Sequence, residues 1–314
     1  MQPSIPPVST GALRGHIASL QGVRHPLVAP EALEKAANYI ESTLQNSGYK
    51  IKNHCFLDNG REYRNLIATL PGTVKNQPKL LIIAHYDTVS NSPGADDNAS
   101  GVALLLELAR ICALTRLKRT MEFVAVNLEE NERETKPKGR GLRGSRALAQ
   151  HARKERWSLA GVIVLESVAY ASEDAVQTIP DGLPIDVPTV GDFIAVIGNK
   201  ASDYLVEAFL RAAEKHQPDL PKVPLVVPGN GEMIPDTRRS DHAPFWDEGY
   251  PAIMLTDTTN FRNPHYHQPS DTLETLNLDF ATAVGSAVAG LIIALDQTGS
   301  ISNAHTITEP DALR

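Results

Sequence analysis

Potential metal ligands and proton-transfer groups follow four apolar runs of this sequence. The residues that end or follow these runs are His85 and Asp87, Glu129 and Glu130, Glu166, and His265 and His267. A further segment, GADDNASG, lies after the first run and places Asp97 twelve residues after His85. Histidine and carboxylate side chains bind divalent cations and also serve as general acids and bases. The pattern therefore indicates metal-assisted or acid–base chemistry.

Each of these segments alone has an ordinary structural explanation. A histidine after an apolar run is usually a hydrogen-bonded structural residue, and the DDNAS segment could simply cap a helix. Taken together, the segments bring two histidines and at least three carboxylates to one end of one sheet. Carboxylates crowded without compensation repel one another and take up protons. A divalent cation removes that conflict, and mixed histidine and carboxylate ligands suit zinc best among the common metals.

Strand-like and helix-like segments alternate without a linker from about residue 31 to 297, which favours a single domain over residues 1–314. Continuous apolar runs such as LLIIA and GVIVL are typical of strands that are covered on both faces. The segment from Pro30 to Gly48 predicts a helix, and residues 278–297 predict a packed C-terminal helix. The predicted fold is a three-layer α/β/α sandwich around a mostly parallel mixed sheet. In such folds, ligands bind at the carboxyl ends of the strands.

The charge and cysteine content of the sequence argue against some classes of binding partner and of fold. The 30 basic and 37 acidic residues give a formal charge of −7, which argues against a nucleic-acid-binding protein. Two cysteines are too few for a disulfide scaffold. The N-terminal residues show neither a secretory pattern nor a run that could cross a bilayer, so we expect a cytoplasmic protein without a membrane partner. The oligomeric state stays open.

The order and spelling of the motifs resemble the co-catalytic zinc aminopeptidases, a metallopeptidase family that also contains glutamate carboxypeptidases and, as a divergent branch, glutaminyl cyclases. The resemblance spans about residues 63 to 275 and, with the upstream helix, nearly the whole chain. The matching motifs are His85-x-Asp87, Gly94-Ala95-Asp96-Asp97-Asn98-Ala99-Ser100-Gly101, Glu129-Glu130, Gly141-Leu142-x-Gly144-Ser145, Ser240-Asp241-His242-x-Pro244-Phe245 and Tyr266-His267-x-Pro269-x-Asp271-Thr272. So many motifs in one order make the match specific for the family.

The resemblance implies two zinc ions per chain, with cobalt or manganese as metals that the same ligands could bind. In this scheme Asp97 bridges the two ions. His85 and Glu166 complete one site, and Glu130 and His267 complete the other. Two metals about 3.5–4 Å apart share a water and lower its pKa towards 7, which yields a hydroxide nucleophile at neutral pH.

The resemblance also implies roles for three residues that do not bind metal. Glu129 would be the general base that takes the proton of the water and returns it to the leaving amine. Asp87 would orient the imidazole of His85 and raise its basicity. Tyr266 would stabilise the oxyanion of the tetrahedral intermediate.

The sequence departs from the family pattern in two places, and one ligand has a neighbouring competitor. Glu166 stands where the family usually has Asp, so this ligand is one methylene longer. Residues 131–140 (NERETKPKGR) are an insertion beside the glutamates, and we predict that they form a mobile lip over the cleft. His265 lies two residues before His267, and the Tyr-His-x-Pro-x-Asp-Thr text favours His267 as the ligand.

Four functions are compatible with these residues. The leading hypothesis is an aminopeptidase that acts on peptides. A carboxypeptidase or dipeptidase would need a cationic pocket, for which Arg238 or Arg239 would have to serve. A single-zinc glutaminyl cyclase is disfavoured by the intact His85-x-Asp87 pair, and an inactive binding scaffold is disfavoured by the complete ligand set. Asp241 and His242 are pocket candidates or supports for the ligands, since adjacent Ser-Asp-His residues rarely form a triad.

Overall fold

The computed structural model describes residues 6–130, 141–180, 182–183 and 185–298. The insertion at residues 131–140 lies outside the described residues. The described helices of more than five residues with α-helical geometry are α1 (Thr10–Leu20), α2 (Pro30–Asn46), α3 (Gly101–Ala113), α4 (Arg143–Lys154), α5 (Asp203–His216), α6 (His242–Asp247) and α7 (Leu278–Gln297). The strands are β1 (Lys50–Asp58), β2 (Arg61–Leu70), β3 (Lys79–His85), β4 (Met121–Val126), β5 (Leu159–Glu166), β6 (Ile194–Asn199), β7 (Lys222–Val227) and β8 (Ala252–Thr256).

These strands form one mixed sheet in the order β1-β2-β4-β3-β5-β8-β6-β7. The pairs β3–β4, β3–β5, β5–β8 and β6–β7 are parallel. The pairs β1–β2, β2–β4 and β6–β8 are antiparallel. As a result, β4, β3, β5 and β8 are neighbours that run in the same direction. Their carboxyl ends meet at one edge of the sheet, which is where the sequence motifs place the potential ligands.

Successive side chains of the central strand pack into two different cores. Leu80 and Ile82 of β3 belong to the core that includes α1, α2, α3, α5 and α7. Leu81 and Ile83 belong to the core on the other face, which includes α4 and contacts from α6. This alternation follows from the period of two in a strand, and it explains why LLIIA is apolar throughout. The predicted three-layer sandwich is therefore confirmed.

The predicted helices at both ends of the alternating region are present. The helix expected after Pro30 is α2, and its predicted apolar stripe of Leu33, Ala37, Ile40 and Leu44 is buried. Neither α1 nor α6 was predicted from the sequence. The six residues of α6 are too few to show a helical period, and five of them are buried.

The C-terminal helix α7 packs inside the protein. By length and composition it could cross a membrane, with a mean hydropathy of 1.9, but 67% of that stretch is buried. Its neighbours include α5, α1 and α3. This burial agrees with the packed C-terminal helix that the sequence predicts.

The start of α3 tests how tightly the sheet edge is packed. A Cβ atom added at Gly101 would lie 2.3 Å from Asn98 Oδ1 and 2.6 Å from the Leu165 carbonyl oxygen. We expect Gly101→Ala to lower the free energy of unfolding by about 1–3 kcal/mol through overpacking. At Gly15 in α1 an added Cβ meets nothing within 4 Å. Gly15→Ala should therefore stabilise the protein by about 0.5–1 kcal/mol through helix propensity. Urea denaturation of both variants measures these changes, and equal effects would contradict the packing argument.

Candidate metal centre

The potential ligands converge at the carboxyl ends of the four neighbouring parallel strands. His85 is the last residue of β3, and Glu166 is the last residue of β5. Glu130 follows β4, and His267 lies in the loop after β8. Asp97 belongs to a short segment, Ala95–Ser100, that leads into α3 and in which Asp97 itself has non-helical backbone angles. Five residues separated by up to 182 positions in the chain thus meet because of the strand order.

Asp97 lies between the two histidines and presents one carboxylate oxygen to each. Its Oδ1 is 3.2 Å from His85 Nε2, and its Oδ2 is 3.1 Å from His267 Nε2. Glu166 Oε2 lies 3.5 Å from His85 Nε2. Glu130 Oε2 lies 3.2 Å from His267 Nε2. This arrangement fits a carboxylate that bridges two cation sites.

The separations of these atoms fit zinc. With zinc–ligand bonds of about 2.0–2.2 Å in tetrahedral coordination, neighbouring ligand atoms lie roughly 3.3–3.6 Å apart. The distances between the nitrogen and oxygen atoms described above are 3.1–3.5 Å. His85 Nε2, His267 Nε2 and Asp97 Oδ1 are also buried without a well-aligned hydrogen bond among the described residues. Buried polar atoms that face one another in this way are suited to share a cation.

The possible ligand atoms fall into two sets among the described residues. We call them the His85 group, which comprises His85, Glu129 and Glu166, and the His267 group, which comprises Asp97, Glu130 and His267. Within the His85 group, Glu129 Oε2 is 4.0 Å from His85 Nε2. That distance is longer than those from His85 to Glu166 or to Asp97. Glu129 therefore lies at the margin of the group, beside the ligand atoms.

Asp87 supports both a histidine and the end of strand β4. Its Oδ1 lies 3.5 Å from His85 Nδ1. Its two oxygens accept hydrogen bonds from the backbone N–H groups of Glu129 at 3.1 Å and Glu130 at 3.2 Å. Burial raises the pKa of Asp87, but His85 and these backbone donors outweigh that effect and leave the pKa below its usual value. The carboxylate form is thus stabilised where it can orient the imidazole.

Without a cation, the site relieves its crowding by holding protons. Burial and the neighbouring Asp97 raise the pKa of Glu130 to about 7. Burial lowers the pKa of His267, but Glu130 and Asp97 outweigh it and raise the pKa to about 10. Burial likewise lowers the pKa of His85, whereas Glu166 and Glu129 raise it well above its usual value. Zinc must displace these protons to bind.

The hydroxyl of Tyr266 has a defined hydrogen-bond direction. The Tyr266 ring stacks on His267 with ring centroids 3.8 Å apart. Arg239 Nη2 donates to Tyr266 Oη at 3.1 Å. A guanidinium can only donate, so the hydroxyl oxygen accepts and its own proton remains available for another acceptor.

A cavity of about 660 Å³ opens beside these residues. Asp97, Glu129, Glu166, Tyr266 and Arg239 are among its polar lining residues. Much of the remaining wall is apolar and comes from β6, β7, β8 and the described residues between β5 and β6. These apolar lining residues include Ile179, Leu183, Ile185, Val187, Phe193, Ala195, Ile197, Val223, Leu225 and Met254.

Three predicted substrate-binding residues lie outside the described lining of this cavity. Arg238 Nη2 bonds Asp247 at 2.7 Å, and its Nη1 bonds a backbone carbonyl. Asp241 and His242 are fully buried, and His242 Nε2 lies 2.8 Å from the Thr237 carbonyl oxygen. A contact between substrate and these three residues stays a prediction, and the cavity lining does not support it. Arg239, in contrast, lines the cavity.

His265 lies apart from both ligand groups. Its Nδ1 is 2.9 Å from Ser270 Oγ, and its ring contacts Tyr170 edge-on. Both His265 and His267 are half-buried, but His267 Nε2 lies 3.1 Å from Asp97 Oδ2 and thus points into the cluster. The structure thus places the histidine that the motif favours among the other potential ligands.

Three supporting residues received no role from the sequence. Ser240 Oγ donates to Glu166 Oε2 at 2.7 Å. The Asp271 carboxylate accepts from the backbone N–H groups of Asp96 and Asp97. Ser240 and Asp271 lie within the quoted motifs, which could have drawn attention to them. Arg24, whose contacts are described below, carries no such signal.

The chain is similar to known metallopeptidases over most of its length. The family model described as Peptidase family M28 matches residues 65–292. The uncharacterized protein YfbL of Escherichia coli K12 is 34% identical over 270 residues, which cover 83% of this chain and 80% of YfbL. Leucine aminopeptidase 1 of Metarhizium robertsii is 26% identical over 238 residues, which cover 74% of this chain. The chain spans about half of that fungal protein, since the match covers 54% of its length.

Solved structures share the fold at lower identity. The LapA aminopeptidase of Legionella pneumophila has a TM-score of 0.69 and 20% identity, and the match covers 93% of this chain and 73% of LapA. The glutaminyl cyclase of Fimbriiglobus ruber has a TM-score of 0.71 and 18% identity, with 94% of this chain and 98% of the cyclase covered. At these identities the likeness establishes the α/β fold and does not separate the two activities.

Substitution of the two neighbouring histidines distinguishes a ligand from a bystander. We expect His267→Ala to lose zinc, because it removes the nitrogen that faces both Asp97 and Glu130. His265→Ala should retain the zinc content of the unmodified chain, since its ring bonds Ser270 instead. Elemental analysis after equilibration with zinc and desalting measures both. Equal zinc contents in the two variants would contradict this assignment.

The protons held by the metal-free site predict how zinc affinity depends on pH. At neutral pH, His267 is protonated because its pKa is about 10, and Glu130 is partly protonated because its pKa is about 7. Zinc binds the deprotonated forms, so its affinity should rise between about pH 6 and pH 8, by roughly tenfold per pH unit for each displaced proton. Calorimetric titration in two buffers with different protonation enthalpies counts the released protons. An affinity that does not change with pH would refute the prediction.

Proposed function

The chain belongs to peptidase family M28, and on that premise we propose that it is a two-zinc aminopeptidase that removes N-terminal residues from peptides. One observation carries the proposal: Asp97 faces His85 with one oxygen and His267 with the other, while Glu129 stands beside these ligands in the cavity wall. A shared carboxylate between two ligand groups supports two ions rather than one. Zinc, when bound, polarises a carbonyl and lowers the pKa of an attacking water.

Glu129 is the group in this arrangement that can carry a proton. It lines the cavity and lies 4.0 Å from the nearest histidine nitrogen, outside the ligand spacing. Burial raises its pKa well above the usual value, and Glu166 and Glu130 add to that rise against the opposing effect of His85. A carboxyl group whose pKa is raised holds a transferred proton more readily than an ordinary glutamate. Glu129 thus takes a proton from the attacking water and returns it to the leaving amine.

Tyr266 supplies a donor for the carbonyl oxygen as negative charge develops there. Its hydroxyl accepts from Arg239 and keeps its own proton for donation. A donor that is held in place before the reaction needs no reorganisation during it. Because the Tyr266 ring stacks on His267, the hydroxyl is also held next to the ligand cluster.

Recognition of a free N-terminus follows from the charges in the cavity. Glu129 and Glu166 both line the cavity and can accept hydrogen bonds from an ammonium group. The apolar walls suit the adjoining side chain of the peptide. A blocked N-terminus removes the positive charge that these carboxylates would stabilise, so N-acetylated peptides should be poor substrates.

A carboxypeptidase or dipeptidase is the second candidate, because Arg239, one of the two arginines that the sequence suggested, lines the cavity. Arg239 is available there, but its Nη1 already bonds Asn260 and Asp236, and its Nη2 bonds Tyr266. A substrate carboxylate would have to compete with these partners. The aminopeptidase proposal needs no such competition, and we therefore prefer it.

Glu129→Gln provides the test of the proposed function. The substitution keeps the size of the side chain and removes the proton-accepting oxygen, so zinc content should stay at two per chain. Release of the N-terminal residue from an unblocked peptide should fall about 10²–10⁴-fold in kcat. The matched control is Glu122→Gln, a buried glutamate at the other end of β4 that pairs with Lys79 and should retain turnover.

The substrate panel separates the alternatives. Peptides with a free N-terminus, their N-acetylated forms, dipeptides, and peptides that begin with glutamine are compared by mass spectrometry. Cleavage of N-acetylated peptides at the same rate would refute the aminopeptidase. Loss of ammonia from N-terminal glutamine without cleavage would indicate a cyclase. Release of the C-terminal residue, or hydrolysis restricted to dipeptides, would favour the second candidate. Full turnover by Glu129→Gln would remove Glu129 from its proposed role.

A further inference from the structure

A buried guanidinium lies behind the ligand cluster and comes from a part of the chain that precedes the family match. Arg24 lies between α1 and α2, and its residue is 2% exposed. Among the described residues it neither lines the cavity nor bonds the side chain of a potential ligand. Burial lowers the pKa of Arg24 to about 10, so the group stays charged at neutral pH. The groups that accept hydrogen bonds from Arg24 therefore indicate its role.

The partners of the Arg24 side chain are backbone carbonyl groups. All three guanidinium nitrogens donate, and the five acceptors come from two regions: its own N-terminal segment and the loops that carry the ligands. The bonds are Nη1 to Leu20 O at 2.6 Å, Gly22 O at 2.9 Å and Pro93 O at 2.9 Å, Nε to Tyr86 O at 2.8 Å, and Nη2 to Gly94 O at 3.0 Å.

Three of these carbonyls, those of Tyr86, Pro93 and Gly94, belong to the two stretches of backbone that must be aligned for zinc. Tyr86 lies between His85 and Asp87 in the chain. Gly94 begins the segment that carries Asp97, and its positive φ of 59° suits glycine. A Cβ at Gly94 would also lie 2.2 Å from the Asp97 carbonyl oxygen. One side chain thus joins the backbone next to His85 to the backbone that leads to Asp97.

The backbone of Arg24 strengthens the same connection. Its N–H donates to Thr88 Oγ1 at 2.8 Å, and its carbonyl accepts from Thr88 N–H at 3.2 Å. Thr88 directly follows Asp87. The N-terminal segment is therefore bonded to the end of β3 through both the side chain and the main chain of one residue.

Arg24 could affect zinc binding in two opposing ways. Its positive charge lies near Asp87, Asp271, Asp97 and Glu130, and a fixed cation there weakens the attraction of these carboxylates for a metal ion. Its hydrogen bonds favour binding, because ligands that already stand at coordination distance need not be ordered when the metal arrives. The five carbonyl oxygens take up much of the charge, which favours the second effect.

We propose that Arg24 is a positioning residue for zinc, which holds the backbone of His85 and Asp97 at ligand spacing before the metal binds. The consequence is that the N-terminal segment forms part of the metal site although it contributes no ligand. This inference concerns metal binding and not the reaction that is catalysed. It can therefore fail while the peptidase proposal stands, and it can hold if the peptidase proposal fails.

The test measures the zinc dissociation constant by competition with a chromophoric chelator. Arg24→Lys keeps the charge but cannot reach all five carbonyls, since its ammonium is a compact group with three donors. Arg24→Gln removes the charge as well. We expect both variants to bind zinc about 10–100-fold more weakly, as is typical when residues that support metal ligands are replaced.

Arg119 provides a matched control. It is 1% exposed and also donates to carbonyl groups, those of Pro78, Leu295 and Thr298. It precedes β4 and therefore lies at the opposite end of that strand from the ligands. Arg119→Lys should lower the thermal stability of the protein as Arg24→Lys does, while its zinc affinity stays within about threefold of the unmodified chain.

Two results would overturn the proposal. Zinc affinity of Arg24→Lys equal to that of the unmodified chain, with tighter binding by Arg24→Gln, would show that only the charge matters. Equal losses of zinc affinity in the Arg24 and Arg119 variants would indicate that lower protein stability in general weakens zinc binding.

A measurement on the unmodified protein covers the case in which the Arg24 variants do not fold. Hydrogen exchange of the Thr88 amide, which bonds the Arg24 carbonyl, is compared in the metal-free and zinc-loaded protein. Protection that is already present without zinc supports a site ordered in advance. Protection that appears only with zinc would contradict it.

Discussion

The need to bury many carboxylates in one place is the constraint on which the rest of this structure depends. Among the described residues, nine carboxylates at the ligand edge of the sheet are buried, namely Asp87, Asp96, Asp97, Glu129, Glu130, Glu166, Asp241, Asp257 and Asp271. Burial and, to a lesser extent, neighbouring like charges disfavour full ionisation, and they raise the pKa values of Glu130, Asp241 and Asp271 to about 7 each. A cation removes the cost, which links the stability of this edge to its chemistry.

The arrangement of the sheet makes that concentration possible. Because β4, β3, β5 and β8 are parallel neighbours, their ends bring side chains from distant parts of the chain to one edge. Strands covered on both faces must be apolar along their length, so the polar residues appear where each strand ends. That is why the fold and most of the potential ligands could be predicted from the sequence. The contrast between LLIIA and the following His85-Tyr86-Asp87 is local and visible without a structure.

The supporting contacts could not be predicted, because they depend on tertiary neighbours and not on local pattern. Arg24 lies in a segment with no strand-like period, and its acceptors are carbonyl groups, which every residue has. The bond from Arg239 to Tyr266 requires loops 27 residues apart to meet. For the same reason, the sequence did not separate Arg239, which lines the cavity, from Arg238, which bonds Asp247. Arg238 and Arg239 are the same residue type at adjacent positions, so only their tertiary contacts distinguish them.

Glu166, a potential ligand that is one methylene longer than the residue usual in the family, shows how a neighbouring residue can compensate for such a departure. An extra methylene adds a rotatable bond, and ordering it costs conformational entropy. Ser240 Oγ donates at 2.7 Å to Glu166 Oε2, the same oxygen that lies 3.5 Å from His85 Nε2. This bond fixes the carboxylate while leaving the oxygen facing the histidine. The Ser-Asp-His segment, which would suggest a catalytic triad if considered alone, thus supports the position of the Glu166 carboxylate through its serine.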